Sequence, residues 1–341
     1  MRWLSLLAAV IVVLFAASAA RPQETARLWQ DPGPLASRDL FWGNGSQERA
    51  PQPPFRFVQE NKKGSTPKVV VTDARGATWS VKFSSEAHAE VAAARLMWAF
   101  GYPVEEMYYV HTGKIDGARG LARAGDVIED DGTFWEARFE RRDPKFVEGA
   151  GWALASNPFA GSKELSGLVI LFALINNWDT DLDRNQAVYA VTTAKGVEQW
   201  YIADDIGASF GRFDLESPIK WNLAEYRKDK LIASVEPDAI VLNYRAYGTP
   251  PTRIPIDHAR WFAKMASELT PAQVRRAFEA AGTPPADIDG FVETFMAKLR
   301  ELQSGLRVRL LVLRNQARRI EMRVALRRAE ARVSEHLLNG A

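Results

Sequence analysis

Lys82 closes a strand-like run, ATWSVKF, and is followed by Glu86 and Glu90 on an alanine-rich stretch, AHAEVAAARLMWAF, that reads as a helix. A lysine on a rigid strand is a fixed positive charge, suited to the phosphates of a nucleotide, and a helix carboxylate paired with it aims it. Glu86 and Glu90 are four apart and share one helix face, so either reaches Lys82; Glu90, one turn further in, suits a buried pair better. Further on, an apolar run, LVILFALI, leads into Asp179-Thr180-Asp181-Leu182-Asp183-Arg184-Asn185, and two strand-like runs later comes Asp204-Asp205-Ile206-Gly207. Asn185 and Asp205 are hard oxygen ligands for magnesium or manganese bridging phosphates. Asp179 is placed to orient or deprotonate an attacking hydroxyl, and Gly207 lets the backbone turn sharply beside the metal. Taken singly, these are a strand-edge lysine, an exposed polar turn and a strand end. Their order along the chain is what makes them worth reading together.

The elements that must position these residues are legible in outline. Residues 55–60, PKVVVT and ATWSVKF read as strands, with Asp73-Ala74-Arg75-Gly76 as the hairpin turn between the last two. The alanine-rich helix follows, is stopped at Gly101-Tyr102-Pro103, and gives way to a strand, EEMYYV. Residues 55–110 are therefore a small sheet crossed by one helix. TFWEARFE is a further strand, and a helix starts near Ser162; its run LVILFALI is apolar on every side and belongs in a core. QAVYAV and EQWYIADDIG are strands, residues 257–303 are helical with Thr270-Pro271 at one helix start, and about Phe291 to Leu338 reads as one long basic helix. Trp152, Trp178 and Trp221 read as core or cleft-wall aromatics.

Composition sets the class. The chain has 341 residues, 47% hydrophobic and 25% charged, which is that of a folded protein large enough for one big domain or two smaller ones. A net charge of +2 is too balanced for a general polyanion binder, and no sequence-specific nucleic acid is expected as partner. With no cysteine, disulfides, thiolate zinc sites and cysteine nucleophiles are excluded. Residues 1–20 carry Arg2, then an apolar run, then Ser18-Ala19-Ala20, the layout of a secretory signal peptide; the alternative is an inner-membrane anchor through residues 4–20. The expectation is export, to the periplasm or beyond. Residues 21–54, rich in Pro, Gly and Gln, read as an extended leader.

The stretches GSTPKVVVTDARGATWSVKFSSEAHAEVAAARLMWAFGY, NPFAGSKELSGLVILFALINNWD and YIADDIGASFG resemble a group of secreted bacterial proteins with an atypical protein-kinase-like fold. More remotely they are similar to the phosphatidylinositol-kinase-like, HipA-like and Golgi secretory kinases. The resemblance covers about residues 55–304 and implies an α+β, two-lobed protein-kinase-like fold: a small β-rich N-lobe with one helix (55–112) and a larger, mainly helical C-lobe (113–304), followed by the basic helix 305–341. It implies ATP, or another nucleotide, with Mg or Mn between the lobes. Carried over, Lys82 holds phosphate, Glu90 pairs with it, Asp179 is the catalytic position, and Asn185 and Asp205 hold metal. The chain departs from the wider superfamily in three places. No Gly-x-Gly-x-x-Gly is present, so Gly64 with Lys68 is what covers the phosphates; no His-Arg-Asp precedes the loop; and Asp179 and Asn185 are six apart rather than five. The loop therefore carries a bulge, or Asp181 or Asp183 serves with Asn185.

From Lys298 to Arg332 the net charge is +8, which leaves −7 for the rest of the chain after signal removal. Leu299, Leu302, Leu306, Leu310, Leu313, Ala317, Ile320 and Val324 recur at three-to-four spacing. This stripe either docks on the acidic body or, in its outer part, meets an anionic membrane surface. Two functions follow: an exported kinase-like phosphotransferase acting on a protein, carbohydrate or lipid hydroxyl, or a catalytically degenerate kinase-fold module that binds nucleotide, metal or a protein partner. A third is a membrane-surface scaffold built on the basic helix.

Overall fold

The computed structural model describes residues 25–62, 64, 66–180 and 186–339, with the backbone alone at Gln186 and over 308–320 and 326–339. The signal-like segment 1–20 and the metal candidates Asp181 and Asn185 lie outside the described residues. The order opens with β1 (Thr25–Arg27), β2 (Phe55–Asn61), β3 (Lys68–Thr72), β4 (Thr78–Phe83), α1 (Glu86–Ala99), β5 (Met107–Asp116) and β6 (Thr133–Arg141). It continues with β7 (Phe146–Gly151), α2 (Lys163–Leu174), β8 (Gln186–Thr193), β9 (Gly196–Ala203), α3 (Leu223–Tyr226), β10 (Ile232–Val235), β11 (Ala239–Leu242) and β12 (Arg253–Pro255). Three helices close the chain: α4 (Ile256–Ala266), α5 (Pro271–Ala280) and α6 (Pro285–Asn339).

Strands β2–β3–β4–β6–β5 form a closed barrel, sealed by a short parallel pairing of Phe55 with Ile115. Alternation decides its inside. Val69 and Val71 of β3, Trp79, Val81 and Phe83 of β4 and Phe139 of β6 fill one buried cluster. The residues between them face outward. Register then sets Lys68 opposite Lys82 and Lys82 opposite Arg138, so three cations from three adjacent strands line up across the outer wall. The Asp73–Gly76 hairpin is present as expected, Gly76 N donating to Asp73 O at 2.9 Å.

Helix α1 is buried on nearly all sides, because alanine lets neighbouring elements approach it closely. It belongs to the larger core, shared with α2, α4, α5 and α6. Gly101 ends it at φ +85°, where a side chain would collide with Gln30 O. Helix α2 starts where Ser162 accepts from Leu165 N, and α5 starts at a capping box of Thr270 and Gln273 with Pro271 in its first turn. A four-stranded sheet, β1–β9–β8–β7, and a three-stranded one, β10–β11–β12, complete this half.

Three expected boundaries move. The division at 112/113 falls inside β5, because β5 pairs along its length with β6 and the barrel runs on to Arg141. The division at 304/305 falls inside α6, a continuous helix with Leu302 and Leu306 still buried. The segment expected as an extended leader is built into the fold from Thr25 onward. β1 pairs in parallel with β9, Leu28, Leu35 and Leu40 are buried, and Gln273 Nε2 donates to Leu35 O. No helix among the described residues is long and apolar enough to cross a membrane.

Candidate active site

Lys82 Nζ is the centre of the site. It contacts the carboxylates of Glu90, Glu86 (3.0 Å) and Asp205 (3.3 Å), and only 3% of its side chain is exposed. Three elements bring these together: the outer face of β4, the first two turns of α1, and the loop after β9. Carboxylate oxygens of Glu86, Glu90 and Asp205 all lie within 4.8 Å of one another, gathered around the Lys82 ammonium. Both glutamates weighed from sequence reach the lysine. Glu90 is the deeper of the two, and Glu86 is the more connected: Thr66 Oγ1 donates to it at 3.2 Å and Lys220 pairs with its other oxygen.

The charges stabilise one another. Burial alone would lower the Lys82 pKa, but Glu90, Asp205 and Glu86 raise it well above its ordinary value. Burial would raise Asp205, and the Lys82 ammonium outweighs it and holds the carboxyl below its usual range. Glu86 is lowered in the same way, against its burial, by Lys82 and then Lys220. Lys68, in register with Lys82, adds a further favourable charge to Asp205. Gly64, at φ +77°, lies beside it, its open side 3.6 Å from Lys68 Nζ.

Gly207 lies where the Asp205 loop passes under α1. A Cβ there would sit 2.9 Å from Glu90 Oε1 and 3.1 Å from Glu86 Cβ. Its φ is not in the left-handed region, so the glycine serves close approach rather than the sharp turn expected of it. Asp179 is on the adjacent loop. Trp178 N donates to Ala208 O (3.1 Å) and Phe210 N to Ile175 O (2.7 Å), which ties the two loops side by side. Asp179 is not among the carboxylates touching Lys82; its own N–H donates to Asn177 Oδ1. Trp178 walls this region, with Nε1 donating to Ile219 O, and Trp152 is core.

Further participants carried no sequence signal of their own. Arg138 of β6 pairs with Glu90 and Glu140, and its positive charge is reinforced against burial by Glu90 first and Glu140 next. Lys220 comes from the segment after Gly207. Behind Asp205, Tyr189 Oη donates to Glu105 Oε1 (3.0 Å) and lies 3.3 Å from Asp204 Oδ1. Burial pushes Asp204 up to about 6 and raises Glu105 well beyond its ordinary value.

No protein-family model matches the chain, and no curated protein sequence matches it. Among solved structures, it is similar to the Golgi casein kinase with Mn/ADP bound, at 12% identity over 75% of this chain and 72% of that one, with a TM-score of 0.41. It is likewise similar to the Helicobacter pylori proinflammatory kinase CtkA, at 12% identity over 76% and 99% of the two chains, also with a TM-score of 0.41.

Proposed function

We propose that the chain is an exported, atypical-kinase-like phosphotransferase that moves a phosphoryl group from a nucleotide to a hydroxyl acceptor. The observation that carries this reading is Lys82 on a barrel strand, held between Glu90 of the following helix and Asp205 after β9. In this function Lys82 and Lys68 offset the charge of the nucleotide phosphates. Asp205, the most exposed of the three carboxylates, with Glu86 beside it, would hold magnesium or manganese, and the ion would supply positive charge against the phosphates. Asp179, on the loop bonded to the Asp205 loop, would orient the acceptor hydroxyl. Catalysis would be positional and electrostatic, with no covalent step asked of the protein.

Calorimetric titration of the chain from residue 21 with ATP, in magnesium and in manganese, tests the reading. Metal-dependent binding that is lost in Asp205→Asn and Lys82→Met supports it; absence of binding with either metal sinks it. A second reading is a binding module without transfer. It is favoured by the burial of Lys82 under three carboxylates, two of which also carry Arg138 and Lys220. Binding of ATP with no ADP formed on any acceptor would select it. The outer basic helix is proposed to touch anionic membrane.

A further inference from the structure

We infer that His88 is a positioning residue of this site: it clamps α1, and with it Glu86 and Glu90, to the C-terminal half of the fold. The inference rests on reading the Lys82–Glu90 pair as the working part of the site. His88 lies on α1 between the two glutamates and is buried. At 100° per residue its side chain points some 200° from Glu86, to the opposite side of the helix from the carboxylates.

What it meets there comes from four separate elements. Its ring is sandwiched between Tyr109 of β5, at 4.8 Å and 29°, and Trp221, at 5.4 Å and 14°. Its Nδ1 lies 2.7 Å from Ala281 O. A carbonyl can only accept, so Nδ1 carries the proton and satisfies one of the carbonyls left open at the end of α5. Its Nε2 faces the Glu136 carboxylate of β6 at 3.7 Å. Trp221 passes the stack on to Phe291 of α6, at 4.6 Å and 20°.

The partner segment is itself held under strain. Trp221 adopts φ +42°, a conformation a bulky residue keeps only when its surroundings impose it. The residue before it is Lys220, which pairs with Glu86. One dipeptide therefore grips α1 twice, through charge on the face of the site and through ring stacking on the face behind it. Two contacts on opposite faces fix both the rotation and the height of the helix. Those are the two freedoms that would carry Glu90 away from Lys82.

The test reads Lys82 directly and uses no nucleotide. The full chain is treated briefly with limiting acetic anhydride at fixed pH, and acetylation of Lys82 is measured by mass spectrometry against exposed Lys264 of α4 as internal reference. Lys82 Nζ is covered by the carboxylates it pairs with, so reagent reaches it only when α1 opens away from β4. His88→Ala should raise Lys82 labelling about tenfold relative to Lys264, with Trp221→Leu moving the same way. His88→Asn, which keeps a donor for Ala281, should recover part of the protection. Should His88→Ala not give a cooperative melt, Trp221→Leu carries the measurement. Lys82 as protected in the folded variants as in the unaltered chain would overturn the inference. A chain that binds no ATP yet shows the labelling shift would lose its nucleotide reading and keep this one.

Discussion

Lys82 and Arg138 stand directly opposite each other on neighbouring strands, and both reach the carboxylate of Glu90. Like charges in such positions ordinarily repel. Here the pair is held by a shared counter-ion, with Glu140 as a second partner for Arg138. Arg138→Ala strands Glu90 and Glu140 in a buried setting and should cost about 3–5 kcal/mol. Arg138→Met combined with Glu140→Leu should cost clearly less than Arg138→Ala alone. Urea unfolding of both variants decides this.

Acid should loosen the site from one side. Asp205 and Glu86 are held below their ordinary values by Lys82 against their burial. A depressed folded-state pKa adds stability above the unfolded value, near 4, that is lost as pH falls through the folded one. The urea midpoint of the chain should therefore drop below about pH 4, and Asp205→Asn should flatten part of that drop.

Asp204 has the opposite sign. Burial raises it to about 6, so the folded chain binds a proton there that the unfolded chain does not. Stability associated with this group falls as pH rises from near 4 through about 6. Asp204→Asn should be more stabilising at pH 8 than at pH 4.5 relative to the unaltered chain. Equal effects at both values would contradict the assignment.

Gly207→Ala inserts a methyl group against Glu90 and Glu86. We expect a loss of about 1–3 kcal/mol from crowding, together with weaker metal-dependent ATP binding in calorimetry. An unchanged affinity would mean that the Asp205 loop can retreat without disturbing the carboxylates.

The outer part of α6 should be dispensable for folding. Leu306 is its last described buried residue, and the described side chains at 321–325 are exposed. A chain ending at Ile320 should keep its melting temperature. It should also lose co-sedimentation with phosphatidylserine vesicles, an interaction that salt would screen in the full chain.

Local chemistry made much of this legible. The Asp73–Gly76 hairpin, the helix start near Ser162 and the Thr270–Pro271 start each depend on a few adjacent residues, and each was readable from them. Lys82, Glu90 and Asp205 could be chosen because their order along the chain matches that of the kinase-like proteins it resembles, and the fold brings them together. Arg138 could not be. TFWEARFE announces a strand, but the meaning of its arginine depends on β6 lying beside β4, a closure fixed by the whole barrel. Lys220 and His88 depend likewise on a segment folding back over α1. The stretch from Thr25 to Pro54 has little periodic structure, so its Leu28, Leu35 and Leu40 fall in no helical or strand pattern although all are buried.

That stretch also dictates the order in which the molecule can be finished. β1 pairs with β9, Leu35 N donates to Glu268 Oε2, and Leu35 O accepts from Gln273, a partner 238 residues further along the chain. The first described segment to leave the ribosome thus finds its last partners only when α4 and α5 have been made. Contacts of such long sequence separation are slow to close. During synthesis this stretch reaches α1 and the barrel early, through Arg38 on Trp98 O and Asn44 on Val104 O, yet its contacts with β9 and α5 stay open until the chain is nearly finished.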